Sequence, residues 1–350
     1  MAFSNTVPEF ERGPLVTIAI PTFNRAWWLG DCVVSALSQT YSHFEVVISD
    51  NASTDNTPEV LNQFNDPRMR VVRQKTNIGL LPNWNACLAE AKGDYIVFVS
   101  DDDRLAPWML ERCVALILRH PQISVVIALS DVRSAVLART RPGQTSLRLG
   151  TGIWNGSDIL MEYLKDQIDI AMSSIMLQTA HLRAIGGFRI DLPHAGDVAA
   201  WAPLLLMGKA GLVNESCATF SFHSDSDSSR LGIEQLMRDG WNAADLISNY
   251  ANHSVPELLE RRRLQQHARR CFARRNALIL SRFRDNGGTL AEVLRTIWRF
   301  RRGFSHIAIV DVFRLAWPMA IIVFPKSIIT WLRRVKRSLI KQGGPRHGLP

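Results

Sequence analysis

Cysteine is sparse in this chain. Cys32, Cys87, Cys113, Cys217 and Cys271 stand far apart, with no C-x-x-C pair. That disfavours a disulfide framework or a zinc site and points to a reducing compartment. The N-terminus, M-A-F-S-N-T-V-P-E-F, has neither a basic n-region nor an apolar h-region. No signal peptide is therefore expected, and the protein should work in the cytoplasm. No G-x-G-x-x-G follows the first apolar run, and no G-x-x-x-x-G-K-[ST] occurs anywhere. A Rossmann dehydrogenase and a P-loop NTPase are both disfavoured.

Charge is unevenly spread along the 350 residues, whose net charge is +9. Residues 255–350 carry 21 Lys and Arg against 5 Asp and Glu, whereas residues 1–254 carry 20 against 27. An acidic front suits a metal-bound nucleotide, and a basic tail suits an anionic surface.

The most informative stretch is Gly93 to Leu105, G-D-Y-I-V-F-V-S-D-D-D-R-L. Tyr95 to Val99 have the continuous apolar character of a strand buried on both faces of a parallel sheet. Asp101, Asp102 and Asp103 follow directly. Three adjacent carboxylates repel one another, and oxygen ligands select hard ions such as Mg²⁺ or Mn²⁺, which share their shell with phosphate. A helix cap explains one of these aspartates but not three.

Before this stretch, strands are expected at Val16–Ile20, Phe44–Ser49 and Met69–Val72. Helices are expected over Ala26–Ser38 and Trp84–Lys92. Strands alternating with helices predict βαβ units and a mostly parallel sheet. Ligands bind beyond the carboxyl ends of such strands, which places Pro21-Thr22, Asp50 and Asp101–Asp103 along one edge. A helix over Pro107–His120, a strand over Ile123–Ala128, a surface loop over residues 134–150 and a strand over Ser173–Gln178 complete the front.

Four segments, V-T-I-A-I-P-T-F-N-R (16–25), F-E-V-V-I-S-D-N-A-S-T-D (44–55), N-I-G (77–79) and G-D-Y-I-V-F-V-S-D-D-D (93–103), resemble glycosyltransferase family 2 in order and interval. The resemblance implies an α/β GT-A fold, Rossmann-like, with helices flanking the sheet. It also implies an inverting, Mn²⁺- or Mg²⁺-dependent transferase using a UDP-, dTDP- or GDP-sugar. By the same resemblance Pro21, Thr22, Asn24, Asp50, Asn77, Asp101 and Asp102 line the nucleotide sugar. Asp50 is the carboxylate that meets the base. Asp102 and Asp103 are metal ligands with Asp102 favoured, Ser100 standing where the family more often has an aspartate.

Ile185-Gly186-Gly187-Phe188, followed nine residues later by Asp197, resembles the family's G-G-F…E-D segment. Asp197 is then the base that takes the acceptor hydroxyl's proton, although Gly196 replaces the usual glutamate. Capping of the following helix is the structural alternative. F-S-F-H-S-D-S-D-S-S (220–229) resembles the segment that brings a histidine to the metal, implying His223 as a further ligand.

From Val255 onward the pattern is helical and arginine-rich. An apolar run at Leu315–Pro325 is too short to span a bilayer, for which ~20 residues are needed. It reads either as an interfacial segment on anionic lipid or as an ordinary helical subdomain. No nucleic-acid-binding module is recognisable, so nucleic acid is not an expected partner. The expected organisation is a catalytic domain over 1–230 and a basic helical region over 231–350, peripheral at the inner face of the membrane. A glycan or lipid-linked acceptor in bacterial surface polysaccharide assembly fits this layout. A sugar-phosphate nucleotidyltransferase and a non-catalytic nucleotide-sugar-binding scaffold are the rival readings.

Overall fold

The computed structural model describes residues 13–134, 139–222 and 231–307, together with 318, 319, 321 and 322. The chain divides into two compact units, Met1–Arg230 with Asn242–Ala268, and Leu231–Trp241 with Arg269–Pro350.

In the first unit, strands β1 (Val16–Thr22), β2 (Phe44–Asp50) and β3 (Met69–Arg73) alternate with helices α1 (Ala26–Leu37), α2 (Thr57–Leu61) and α3 (Leu80–Glu90). β4 (Tyr95–Phe98) and the short β5 (Arg104–Leu105) bracket the acidic triplet, and α4 (Met109–Arg119) follows. Next come β6 (Val125–Ser134), β7 (Arg139–Arg141), β8 (Gly152–Asn155), α5 (Gly156–Leu164) and β9 (Ile175–Gln178). The unit continues through α6 (Thr179–Ala184), α7 (Gly196–Leu205) and β10 (Lys209–Phe222).

One sheet runs in the order β3-β2-β1-β4-β9-β6-β10-β5, with β7 on β6 and β8 on β10. β1, β2, β3 and β4 are mutually parallel, as are β6 and β10. β9 is wedged antiparallel between β4 and β6. The mostly parallel α/β sheet expected from the strand–helix alternation is therefore present, with antiparallel insertions. All seven residues of β1 are buried. Its Val16, Ile18 and Ile20 pack with Leu29 and Val33 of α1 and Val46 and Ile48 of β2. Each large apolar side chain so buried contributes roughly 1.5–3 kcal/mol.

Register fixes the functional edge. Thr22 pairs with Asp50 and Asp50 with Arg73, so the last residues of three parallel strands lie side by side. Val99 N–H donates to Ala19 O at 2.8 Å, carrying the end of β4 alongside β1.

The second unit is helical. It contains the first residues of α8 (Ile233–Ser254), the later part of α9 (Leu258–Asp285), α10 (Leu290–Arg299) and α11 (Arg301–Phe304). Thr289 and Glu292 form a capping box that starts α10 by satisfying orphan N–H groups. Met237, Leu280, Val293 and Ile322 make the core. No helix among the described residues is long and apolar enough to cross a membrane. Most of the expected interfacial run at 315–325 lies outside the described residues.

Candidate active site

The turn after β1 is built by its own side chains. Asn24 takes a left-handed conformation (φ 53°), which asparagine tolerates better than most residues. Its Oδ1 accepts from Thr54 N–H at 2.8 Å, while its own N–H donates to Ser53 Oγ at 2.9 Å. Asn24 thus clamps the loops after β1 and β2 together. The Thr22 hydroxyl is buried and has no hydrogen-bond partner among the described residues. Pro21 and Thr22 close the strand beside Ser49 and Asp50.

Asp50 is almost wholly buried. Its Oδ1 accepts from Ser53 N–H at 2.9 Å and its Oδ2 from Arg73 Nη1 at 2.8 Å. Arg73 also donates to Ser53 O at 2.7 Å. The half-exposed guanidinium therefore lies beside the carboxylate expected to meet the base. Asn77 braces this corner: its Oδ1 accepts from Asn51 Nδ2 and from Gly79 N–H, both at 2.9 Å. Gly79 follows at φ 95°, a conformation that glycine adopts without strain, and α3 begins.

The acidic triplet does not act as one group. Asp101 is buried, with Arg25 Nε 3.6 Å from its carboxylate. Asp103 is buried too; Ser173 Oγ donates to one oxygen and Ser221 N–H to the other, the latter at 2.8 Å. Burial pushes the Asp103 carboxyl well above the usual range, Asp102 adds to the rise, and the two serine bonds oppose it. Asp102, between them, is partly exposed. Among the described residues no cluster of three or more His, Cys, Asp or Glu is arranged to hold a metal ion. Asp102 is the triplet carboxylate whose exposure fits a hard cation; Asp103 has its two oxygens committed to protein donors. His223 lies outside the described residues.

Asp197 sits in the first turn of α7 with Oδ1 accepting from Val198 N–H at 2.7 Å; the cap position itself is Ala195. Several contacts tie its segment to the end of β4 and to α3. Phe188 of G-G-F lies edge-on to Phe98, the last residue of β4, at 4.7 Å, and to Trp84 of α3 at 5.0 Å. The Asn85 amide grips the Phe188 backbone at both N–H and C=O, at 2.8 and 2.9 Å. Then, at the start of α7, a Cβ on Gly196 would stand 2.6 Å from the Leu81 side chain, so the helix approaches α3 where a side chain would crowd it. Sequence reasoning missed Arg25, Arg73, Ser173 and Ser221, which partner Asp101, Asp50 and Asp103.

The family model of glycosyl transferase family 2 matches residues 17–181, the segment that supplies Thr22, Asp50 and Asp101–Asp103. These residues form a glycosyltransferase family 2 domain. The hyaluronan synthase of Pasteurella multocida is 32% identical over 233 residues, covering 65% of this chain and 22% of that protein's length. The chain therefore spans less than a quarter of that relative. Among solved structures, residues 1–349 of S. aureus TarS in complex with UDP align with a TM-score of 0.62 at 17% identity, over 96% of this chain and 94% of that one. A mannosyltransferase from Pyrobaculum calidifontis, in complex with GDP-Man and Mn²⁺, aligns with a TM-score of 0.53 at 16% identity, over 96% and 88%. These likenesses establish the GT-A fold expected for a family 2 domain.

Proposed function

We propose that the chain transfers a sugar, with inversion, from a nucleoside-diphosphate donor to a glycan or lipid-linked acceptor in the assembly of a bacterial surface polysaccharide. The observation that carries this reading is the convergence of Thr22, Asp50 and the Arg25–Asp101 pair at the carboxyl ends of adjacent parallel strands. The neighbours seen with UDP and with GDP-Man support the donor class, and the hyaluronan synthase supports the polymer product.

In this reading Asp50 and Arg73 meet the base, Pro21, Thr22, Asn24 and Asn77 shape its pocket, and Asp101 faces the ribose. Asp102 holds Mn²⁺ or Mg²⁺, with Asp103 behind it and His223 as a further ligand. The ion, when bound, neutralises charge growing on the departing diphosphate. Asp197 accepts the proton of the attacking acceptor hydroxyl, and attack from the face opposite the leaving group inverts the anomeric carbon. Residues 1–230 are assigned to transfer and residues 231–350 to an accessory basic region on the inner membrane face.

A panel of nucleotide sugars, each with and without Mn²⁺, tests the reading by thermal shift followed by a transfer assay. One donor class should raise Tm only with metal; saturation near a hundredfold excess over Kd stabilises by ~2.7 kcal/mol. Asp197→Asn should keep that shift and lose turnover by roughly 10²–10⁴-fold. A melting curve unmoved by every donor overturns the proposal.

A further inference from the structure

Among the described residues, α10 leaves large apolar side chains exposed. Val293, Thr296 and Ile297 face the helical core. Residues four apart advance about 40° around a helix, so Leu290, Leu294 and Trp298 form a second stripe beside that buried one. Their exposures are 37%, 54% and 68%, increasing toward the C-terminus of the helix. Exposed leucines occur singly on most proteins; three aligned large apolar residues ending in a tryptophan are a surface with a purpose.

The charges bordering the stripe are mostly basic. Arg295 and Arg299 lie along its flank, and Arg301 and Arg302 follow at its end, all four exposed. Arg301 stands over the Trp298 ring at 4.8 Å and donates to Trp298 O at 2.9 Å. The acidic residue of the helix, Glu292, is engaged in the capping box with Thr289, and Glu234 pairs with Arg299 at 2.7 Å. An apolar arc bordered by arginines and ending in an indole matches the boundary between acyl chains and anionic headgroups.

We propose that α10 is a membrane-contact helix, lying in the plane of an anionic bilayer with Leu290, Leu294 and Trp298 below the headgroups and Arg295, Arg301 and Arg302 among their phosphates. The site is distinct from the Leu315–Pro325 run and does not rest on the transferase reading. It assigns lipid binding to described residues of the second unit.

Flotation of the full chain with vesicles of phosphatidylcholine alone, or mixed with phosphatidylglycerol, tests this. The protein should float with the anionic vesicles, and added salt should weaken that binding. Arg295→Gln and Arg302→Gln should each lower partitioning on the order of fivefold. Leu294→Glu combined with Trp298→Glu should abolish flotation while leaving circular dichroism and the donor-dependent thermal shift unchanged. That last readout separates failure of this proposal from failure of the transferase reading. Wild-type-like flotation of the Leu294→Glu/Trp298→Glu variant overturns the proposal. So does a wild-type dimer that Leu294→Glu dissociates without changing flotation, because the stripe would then belong to a second copy.

Discussion

Arg73 Nη1 donates to Asp50 Oδ2 at 2.8 Å, joining a half-exposed cation to a carboxylate that is nearly sealed from water. Removing the cation leaves a buried charge with one backbone donor, Ser53 N–H. Because the arginine itself is half in solvent, the loss is moderated, and Arg73→Ala should cost ~1–2 kcal/mol. Arg73→Lys should recover little, since one ammonium cannot reproduce the fork to Asp50 and Ser53 O. Urea denaturation measures both.

Ala52 follows Asn51 at φ 61°, with its N–H donating to Asp50 O at 2.9 Å. Left-handed backbone costs an alanine roughly 1–2 kcal/mol. Ala52→Gly should therefore stabilise the protein by about 0.5–1 kcal/mol after the greater freedom of the unfolded glycine is counted. An unchanged or lower urea midpoint would contradict this.

The triplet aspartates should separate by substitution. Asn at position 103 can accept from Ser221 N–H and donate to Ser173 Oγ, so Asp103→Asn should fold and retain metal-dependent donor binding. Asp102→Asn should fold equally well and lose the metal dependence. Asp103→Ala orphans two donors and should cost about 1–3 kcal/mol. Isothermal titration with donor, with and without Mn²⁺, distinguishes the three variants.

All five cysteines are buried. Burial pushes the Cys87 and Cys217 thiols up to about 12, and raises Cys32 and Cys113 well above the usual range. At pH 8 roughly one thiol in ten thousand is ionised at a pKa near 12, so the native protein should not react with Ellman's reagent until it is unfolded. The sign for stability follows. The thiols' contribution is fully present below about 8.5, their unfolded value, and is lost as pH rises toward 12. Stability should fall through that alkaline window, as denaturation midpoints would record.

The first hundred residues were legible because β1, β2 and β4 are largely apolar runs ending in a polar turn, and β3, although Arg70 interrupts it, lies where the short Met69–Val72 strand was expected. α3 starts at Leu80 rather than Trp84 because Pro82 falls in the first turn, where its missing N–H costs no bond. β10 was not legible. Asn214 and Glu215 interrupt it, and register shifts between Val213 and Ser216 and between Ser216 and Ala218 break the alternation that marks a strand. Nor could periodicity show that β9 runs antiparallel between two parallel strands. At the site, the aspartates announced themselves by clustering. Their partners did not: Arg73, Ser173 and Ser221 are ordinary residues that acquire roles only through strand neighbours distant in sequence.

Asp103 takes one donor from 70 positions downstream and the other from 118. A nascent chain that has just released the acidic triplet from the ribosome holds that carboxylate without either serine. The corner can close only when synthesis has passed Ser221. Translation of β10, long after the aspartates have emerged, is thus the moment at which this acidic corner becomes a finished object.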